Sequence, residues 1–563
     1  MLRSIYFNKP FRRLGRQFAT SAARRIKSEP DVTYTTLNNE NAQEREQFFK
    51  YTWGSWTTND DFEKARRYTP FSIEGVAEIV RRTKNLKTDD LYLTSIASIS
   101  EGRHHHIYLA EFNDETKYVL RIPYPLGLSP AARKARMQSE VATMDFAKKK
   151  WKLQVPEVIS WSPTADNPLE SEYVLLELID TSSGGYTNLM RKWDPIGGTV
   201  KERALVIKSI IDQLEKLLAT RFNAFGSLYF TDDVTGELQS RLPYSDEEDA
   251  SLIDRWRIGP TVEKSFWLPG IDEVDTIDRG PWSDPKDYLR AYANAQVTAL
   301  KNTFSKSENN NGASTDLAHW IEEFQKFQTL APNLVPEVPE DSDLLSPRLS
   351  HPDLSPINIL AKIENSENED FKIADTFLLD FEGSSIKPFF LHGTPEFVRY
   401  DGYKVYKKEE ISQYEELPLE LKQQVDFMLA ATASQYTYEF LFSQAFPTLI
   451  SAYSPNVKIL TESYRAVSSA DFQYHPKEVL DVTASLIKTQ KEWQFTSDKS
   501  PLLHYTEEEI AKNDQDLEQW QKEASQIPFY STKGWVPEDI FEESIKSGSL
   551  VKDEQGNYVN SQN

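Results

Sequence analysis

The sequence predicts an α+β fold with a small antiparallel sheet near residues 91–180 and a long, mainly helical region after it. Two observations predict it. The first is a change of period at residue 91. Leu91–Ser100, His106–Phe112 and Lys117–Ile122 are rich in β-branched and aromatic residues, and the turn-forming Asn113-Asp114-Glu115-Thr116 separates the last two. The second is the return of helical spacing. Met137, Val141 and Met144 recur on one face of a helix opened by Ser129-Pro130, where proline suits the first turn.

Two more strands are expected at Val155–Trp161 and Glu172–Ile179, so residues 91–180 read as three strands, a helix and two strands. Upstream, residues 29–90 form an expected helical extension. Its helices are Glu44–Tyr51 and Ile73–Thr83, the second with Val76, Ile79 and Val80 on one face. Downstream, helices are expected over 201–221, 285–304, 315–330, 419–445 and 505–525, with an insertion around 230–345. Ser305–Ser314 has the composition of a surface loop, and residues 531–563 that of a polar tail.

Composition excludes several classes. The chain has 563 residues and no cysteine, so disulfides, thiolate metal sites and a cysteine nucleophile are out. Mean hydropathy is -0.57, and no run approaches the roughly 18 apolar residues that span a bilayer, so no transmembrane segment is expected. A net charge of -23 argues against direct nucleic-acid binding, which needs exposed Lys and Arg.

That charge is uneven. Residues 1–28 hold Arg3, Lys9, Arg12, Arg13, Arg16, Arg24, Arg25 and Lys27, and no acid. Ile5, Tyr6, Phe7, Phe11, Leu14 and Phe18 interleave with them. This is the composition of a mitochondrial transit peptide, so the import machinery is an expected partner and the matrix the expected destination. Arg16-Gln17-Phe18-Ala19 looks like a processing site.

The chemistry concentrates in Leu349–Leu360, which contains His351-Pro352-Asp353-Leu354-Ser355-Pro356-Ile357-Asn358, and in Phe377-Leu378-Leu379-Asp380-Phe381-Glu382-Gly383. An acidic, Asn-rich loop, Glu364–Asp370, lies between them and implies a hairpin. Asn358 then starts one strand and Asp380 ends the other, so they meet at its open end. An amide oxygen and a carboxylate there can hold Mg²⁺, which prefers oxygen ligands. Asp353 lies just before, where it could accept a proton from a nucleophilic hydroxyl.

With these motifs the sequence resembles the aminoglycoside phosphotransferase and choline-kinase branch of the protein-kinase-like fold. Within that branch it is most similar to the fungal family called altered inheritance of mitochondria protein 9. Arg-Ile-Pro-Tyr-Pro at 121–125, Ser-Glu-Val-Ala-Thr-Met-Asp-Phe at 139–146 and Arg-Gly-Pro-Trp at 279–282 carry the second resemblance, with the basic leader.

The resemblance implies a two-lobed domain, with a small antiparallel-sheet N-lobe at 91–180 and a mainly helical C-lobe at 181–530. It implies ATP and Mg²⁺ as nucleotide and metal, and a small-molecule acceptor. Asp353 matches the catalytic aspartate, Asn358 and Asp380 the metal ligands, and Glu382 a further metal contact. Arg121 occupies the position of the phosphate-binding lysine, and Glu140 that of its ion-pair partner. Glu177, Leu178 and Ile179 match the segment whose backbone would bond adenine. Gly102 is the single glycine of the phosphate-loop stretch Ser100–His105.

Departures from the family pattern keep a second reading open. Arginine at 121 has a larger, planar fork than lysine. One glycine stands where the pattern has three, and Glu382 follows Phe381 where protein kinases have glycine. A nucleotide-binding pseudokinase acting as a scaffold is the alternative to phosphotransfer. Blander readings also stand. His104-His105-His106 invites a metal, but successive strand residues face opposite ways, and solvated loop histidines are the simpler expectation. Trp267 and Trp282 fit a pocket or a packed core, and Arg279 a phosphate contact or a cap on the insertion.

Overall fold

The computed structural model describes residues 42–561 apart from 87–89, 182–183, 237–240, 246, 308–313, 366–370, 412–413 and 471–475. The basic leader, the centre of the 305–314 loop and the tip of the 364–370 loop lie outside the described residues. The chain divides into two compact units. One comprises the described residues of 1–134, 156–179 and 518–563, and the other residues 135–155 and 180–517.

The first unit is built on five antiparallel strands: β1 (Leu93–Glu101), β2 (His105–Phe112), β3 (Lys117–Pro123), β4 (Val158–Ser162) and β5 (Tyr173–Glu177). Their order is β1-β2-β3-β5-β4. Period-two alternation makes the sheet one-sided. Along β2, His106, Tyr108, Ala110 and Phe112 are buried, while His105, Ile107 and Leu109 are half-buried on the other face. The β2–β3 turn is set by Asp114, whose Oδ1 accepts from the Thr116 amide at 3.1 Å, and by Glu115 at φ 64°.

Helix α1 (Ile73–Lys84) covers the buried face. Ser72 caps it, accepting from the Gly75 amide at 3.2 Å, and Val76, Ile79 and Val80 enter the core with Leu120 and Ile122. Gly75 is required there, because a Cβ would fall 2.0 Å from the Pro168 carbonyl oxygen. Phe48, Phe49 and Phe71 join the same core, so the segment expected as an extension is part of this unit.

The C-terminal segment is folded, where a polar tail was the expectation. Gly54–Trp56 pairs antiparallel with Trp535–Pro537, and a helix (Glu538–Lys546) and a hairpin (Leu550–Lys552 with Tyr558–Asn560) follow. Val536, Phe541 and Leu550 make a small core of their own. Scattered among polar neighbours, these three residues carry no periodic signal.

The second unit is mainly helical. Helix α2 (Pro130–Lys149) crosses the boundary at 134 and contributes most of its length here. The helix at Val200–Leu217 starts in a capping box, with Thr199 Oγ accepting from the Glu202 amide and Glu202 accepting from the Thr199 amide. Further helices follow at Pro285–Ser307, Ser314–Leu330, Leu419–Ala445, Pro455–Ser469 and Val479–Glu492. Within the insertion, Arg279 donates to the carbonyls of Phe266, Ile271 and Val274 and lies 4.0 Å over Trp267, so it caps the insertion. Trp267 and Trp282 are packed core residues. No helix among the described residues is long and apolar enough to cross a membrane.

Candidate functional site

Four strands of the second unit position the central residues: β6 (Pro347–Ser350), β7 (Ile359–Asn365), β8 (Phe371–Leu378) and β9 (Ser385–Pro388). β6 pairs with β9, and β7 with β8. Ile359 pairs with Leu378, and the Leu379 amide donates to the Asn358 carbonyl at 2.9 Å. Asn358 and Asp380 therefore stand at the open end of the hairpin.

The loop 351–358 is held from three directions. Asn358 Nδ2 donates to the Asp353 carbonyl at 2.8 Å, and Asn188 Nδ2 donates to the Ile357 carbonyl at 2.6 Å. Asn188 ends a short strand, Tyr186–Asn188, that pairs with β7. Tyr186 Oη donates to Asp375 Oδ2 at 2.5 Å, and this bond pushes the phenol up to about 12. The third support is buried His351. Its Nε2 lies 3.0 Å from the Leu379 carbonyl, and its Nδ1 accepts from the Asp353 amide at 3.3 Å. Those two partners fix a neutral Nε2–H tautomer. Burial also lowers the imidazole pKa, and His351 braces the loop through these two bonds.

Asp353 is exposed beyond this brace. Asp380 has φ 59°, a left-handed conformation that Asp adopts more readily than most side chains. Phe381 after it is wholly buried, 5.3 Å from the His351 ring, and Gly383 at φ 74° completes the turn.

The donor set fits a magnesium ion. The Asn358 amide nitrogen is spent on Asp353, which leaves Oδ1 as the group's available acceptor. Asp380 Oδ1 is shut off from solvent. The Ser355 hydroxyl in the same loop is buried without a hydrogen-bond partner. Among the described residues no group of three or more His, Cys, Asp or Glu could hold a metal. Glu382 is placed differently from a simple metal ligand. Its carboxylate lies 3.9 Å from the guanidinium of Arg136 on α2, a residue that burial pushes down in pKa and Glu382 pulls back up.

The remaining residues are distributed as follows. Glu140 is buried on α2 in the second unit. In the first unit, Arg121 is buried on β3, opposite Ile107, with Nη2 3.3 Å from both ring nitrogens of His105. Gly102 starts the β1–β2 turn and donates its amide to the His105 carbonyl at 2.9 Å. Glu177 ends β5, and its amide donates to the Glu157 carbonyl at 2.9 Å. Leu178 is half-buried and Ile179 buried.

The histidine run is not a solvated cluster. His106 is wholly buried on the core face, 2.7 Å from Ser98 Oγ and 2.9 Å from Tyr108 Oη, and burial pushes its imidazole down to about 3. Sequence reasoning missed Arg136 and His105. Both carried a local signal: Arg136 stands four residues before Glu140 on one helix face, and His105 shares a strand face with Ile107, the partner of Arg121.

A five-stranded antiparallel sheet with one helix between its third and fourth strands, and a His-x-Asp-x4-Asn loop feeding a hairpin that ends in Asp-Phe-Glu, define a kinase-like chain. No protein-family model matches it. Curated relatives do, and by them the chain belongs to the altered inheritance of mitochondria protein 9 family. The Yarrowia lipolytica protein of that name is 40% identical, over 94% of this chain and 91% of its own. The Candida albicans protein is 35% identical over 93% and 89%, and the Saccharomyces cerevisiae protein 32% over 95% and 93%. All three are named as mitochondrial. Among solved structures, a Thermobifida fusca chain assigned as a fructosamine-3-kinase matches with TM-score 0.34 at 12% identity, over 75% of this chain and 100% of that one. A macrolide 2'-phosphotransferase from Brachybacterium faecium matches with TM-score 0.24 at 12% identity, over 68% and 99%.

Proposed function

We propose that this protein is a mitochondrial phosphotransferase that moves the γ-phosphate of ATP to a hydroxyl or amine of a small metabolite. The observation that carries the reading is the linkage of Asp353, Asn358 and Asp380. One side-chain bond and one backbone bond tie the loop to the hairpin end, so an acceptor group and two oxygen ligands are held together. Bound Mg²⁺ supplies charge neutralisation on the transferring phosphoryl group. Asn358 would hold that ion through its amide oxygen and Asp380 through its carboxylate, with Glu382, paired to Arg136, as a further contact. Asp353 takes the proton of the acceptor hydroxyl at its carboxylate. His351 keeps that carboxylate in place through the Asp353 amide. Arg121 and Glu140 serve the nucleotide phosphates, and the 177–179 backbone the adenine. The names of the relatives support a mitochondrial destination, and the basic leader has the composition of a matrix-type presequence.

A pseudokinase scaffold is the second reading. The Gly102 amide, spent within its own turn, and Arg121 in place of lysine favour it. A phosphorylation screen against a mitochondrial metabolite pool, using the chain truncated before Ala19, separates the two. An ATP-dependent phosphorylated product supports transfer. ATP binding with no product at any acceptor supports the scaffold.

A further inference from the structure

Helix α2 carries several polar side chains into the second unit. Gln138, Ser139, Glu140 and Thr143 are buried, and Arg136 beside them is only 15% exposed. Burying such groups is costly unless they find partners. Gln138 Nε2 donates to Asp233 Oδ1 at 2.8 Å, and Thr143 Oγ1 to the Ser139 carbonyl at 2.7 Å. Asp145 accepts from Arg255 at both oxygens, at 2.5 and 2.9 Å.

Arg136 is held differently. Its Nε is shut off from solvent, and among the described residues its guanidinium donates no hydrogen bond. Its one ion pair there, Nη1 to Glu382 Oε1, spans 3.9 Å, an attraction without a hydrogen bond. Arg348 in the same unit shows the usual outcome. It donates to the Leu218 carbonyl at 2.6 Å, to Ser346 Oγ at 3.0 Å and to Asp343 Oδ1 at 3.1 Å. Arg465 resembles Arg136, 3.9 Å from Asp401, but its side chain is 32% exposed and better served by solvent. An unspent guanidinium at the burial of Arg136 calls for a functional reason.

Its position supplies one. Glu382 follows Asp380 by two residues, so α2 delivers a cation beside the hairpin end that carries Asn358 and Asp380. Asp353, Asp380 and Glu382 give this part of the unit more negative charge than one Mg²⁺ neutralises, and a polyphosphate adds to it. A guanidinium has five N–H donors in a planar fork that matches two phosphate oxygens. No protein hydrogen bond has to break before this fork takes an anion.

We propose that Arg136 is a phosphate-binding residue, whose guanidinium takes two oxygens of the nucleotide's terminal phosphates beside the magnesium ligands. This rests on the nucleotide reading above and adds a cation, delivered by the helix, to the residues expected from the family resemblance. Glu382 keeps the fork near the hairpin end at a distance that leaves its donors open.

The test is calorimetric titration of the full chain with Mg-ATP and with magnesium tripolyphosphate, comparing wild type, Arg136→Met and Arg136→Lys, and a thermal melt of each without ligand. Arg136→Met should weaken both ligands by about tenfold or more, the loss for hydrogen bonds to a charged group. Arg136→Lys should recover part of it, through charge without the fork. Without ligand, Arg136→Met should melt no lower than wild type, because it replaces a poorly bonded cation by an apolar chain. A lower melting temperature with unchanged affinity makes the pair with Glu382 structural, overturns the proposal and leaves the nucleotide reading standing. Unchanged affinity at any melting temperature does the same. Should Arg136→Met fail to fold, the two titrations of Arg136→Lys decide: weaker binding of both anions supports the proposal, and unaltered binding overturns it. Tripolyphosphate binding that needs Arg136, without any ATP binding, keeps the anion site and removes the nucleotide. A wild type that binds neither ends both.

Discussion

His351 joins two segments that the chain separates by 28 residues: its Nε2 meets the carbonyl of Leu379, the residue before Asp380, at 3.0 Å. With the Asp353 amide on its other nitrogen, one imidazole sets the spacing between the expected base and the expected metal ligand. His351→Ala leaves the Leu379 carbonyl and the Asp353 amide without this partner. Denaturant unfolding should show a loss of about 1–3 kcal/mol, the usual cost of an unmade buried hydrogen bond. Because the folded state lowers the His351 pKa, its contribution is present above the unfolded value near 6.5 and is lost as pH falls. The acid limb of the stability curve should therefore flatten in His351→Gln.

Asp380 and Glu382 should separate. The Arg136 guanidinium 3.9 Å from Glu382 gives that carboxylate a partner inside the protein. Asp380→Asn should weaken Mg²⁺-dependent ATP binding by about tenfold or more, within the range for lost ligand interactions. Glu382→Gln should cost less. Equal losses in a magnesium titration would make Glu382 a full ligand.

The C-terminal module should matter to the stability of the first unit. Leu550 is 3% exposed in the small core with Val536 and Phe541, so Leu550→Ala should lose about 2–5 kcal/mol locally. Hydrogen exchange reads this directly: protection should fall at Gly54–Trp56, which pairs with Trp535–Pro537. Unchanged protection there would show that the strand pair stands without the core behind it.

Acid sensitivity has a second named source. Burial alone would raise the Glu247 pKa, but hydrogen bonds from Lys150 and Tyr244 outweigh it and bring the carboxyl down to about 2. A depressed acid stabilises above its unfolded value of 4.5, and that contribution is lost as pH falls toward 2. Glu247→Gln should melt lower than wild type at pH 7, with the difference closing over that window.

Much of the site was legible because it is local. His351, Asp353 and Asn358 lie within eight residues, and the hairpin that brings Asp380 to them follows from two alternating runs around one turn. The five strands of the first unit were legible for the same reason, with boundaries shifted by at most three residues. What the sequence hid depends on partners far along the chain. Trp535 Nε1 donates to Tyr51 Oη across 484 residues, and no periodic pattern announces such a pair. His106 was hidden otherwise: in a run of three histidines, composition suggests solvent, while the strand register puts that one alone into the core.

In the proposed phosphotransferase, Asp353 serves chemistry and not architecture. Its side chain is exposed, and its loop is held by the Asp353 backbone through His351 and Asn358, so Asp353→Asn leaves those bonds intact. A positioned base contributes about 10²–10⁴-fold to turnover. The relatives are named for altered inheritance of mitochondria, so the most direct test is mitochondrial inheritance in a strain lacking the endogenous protein, complemented with Asp353→Asn at wild-type abundance. The expected result is failure to complement with Mg-ATP binding preserved. Full rescue by Asp353→Asn would contradict it and leave the scaffold reading in its place.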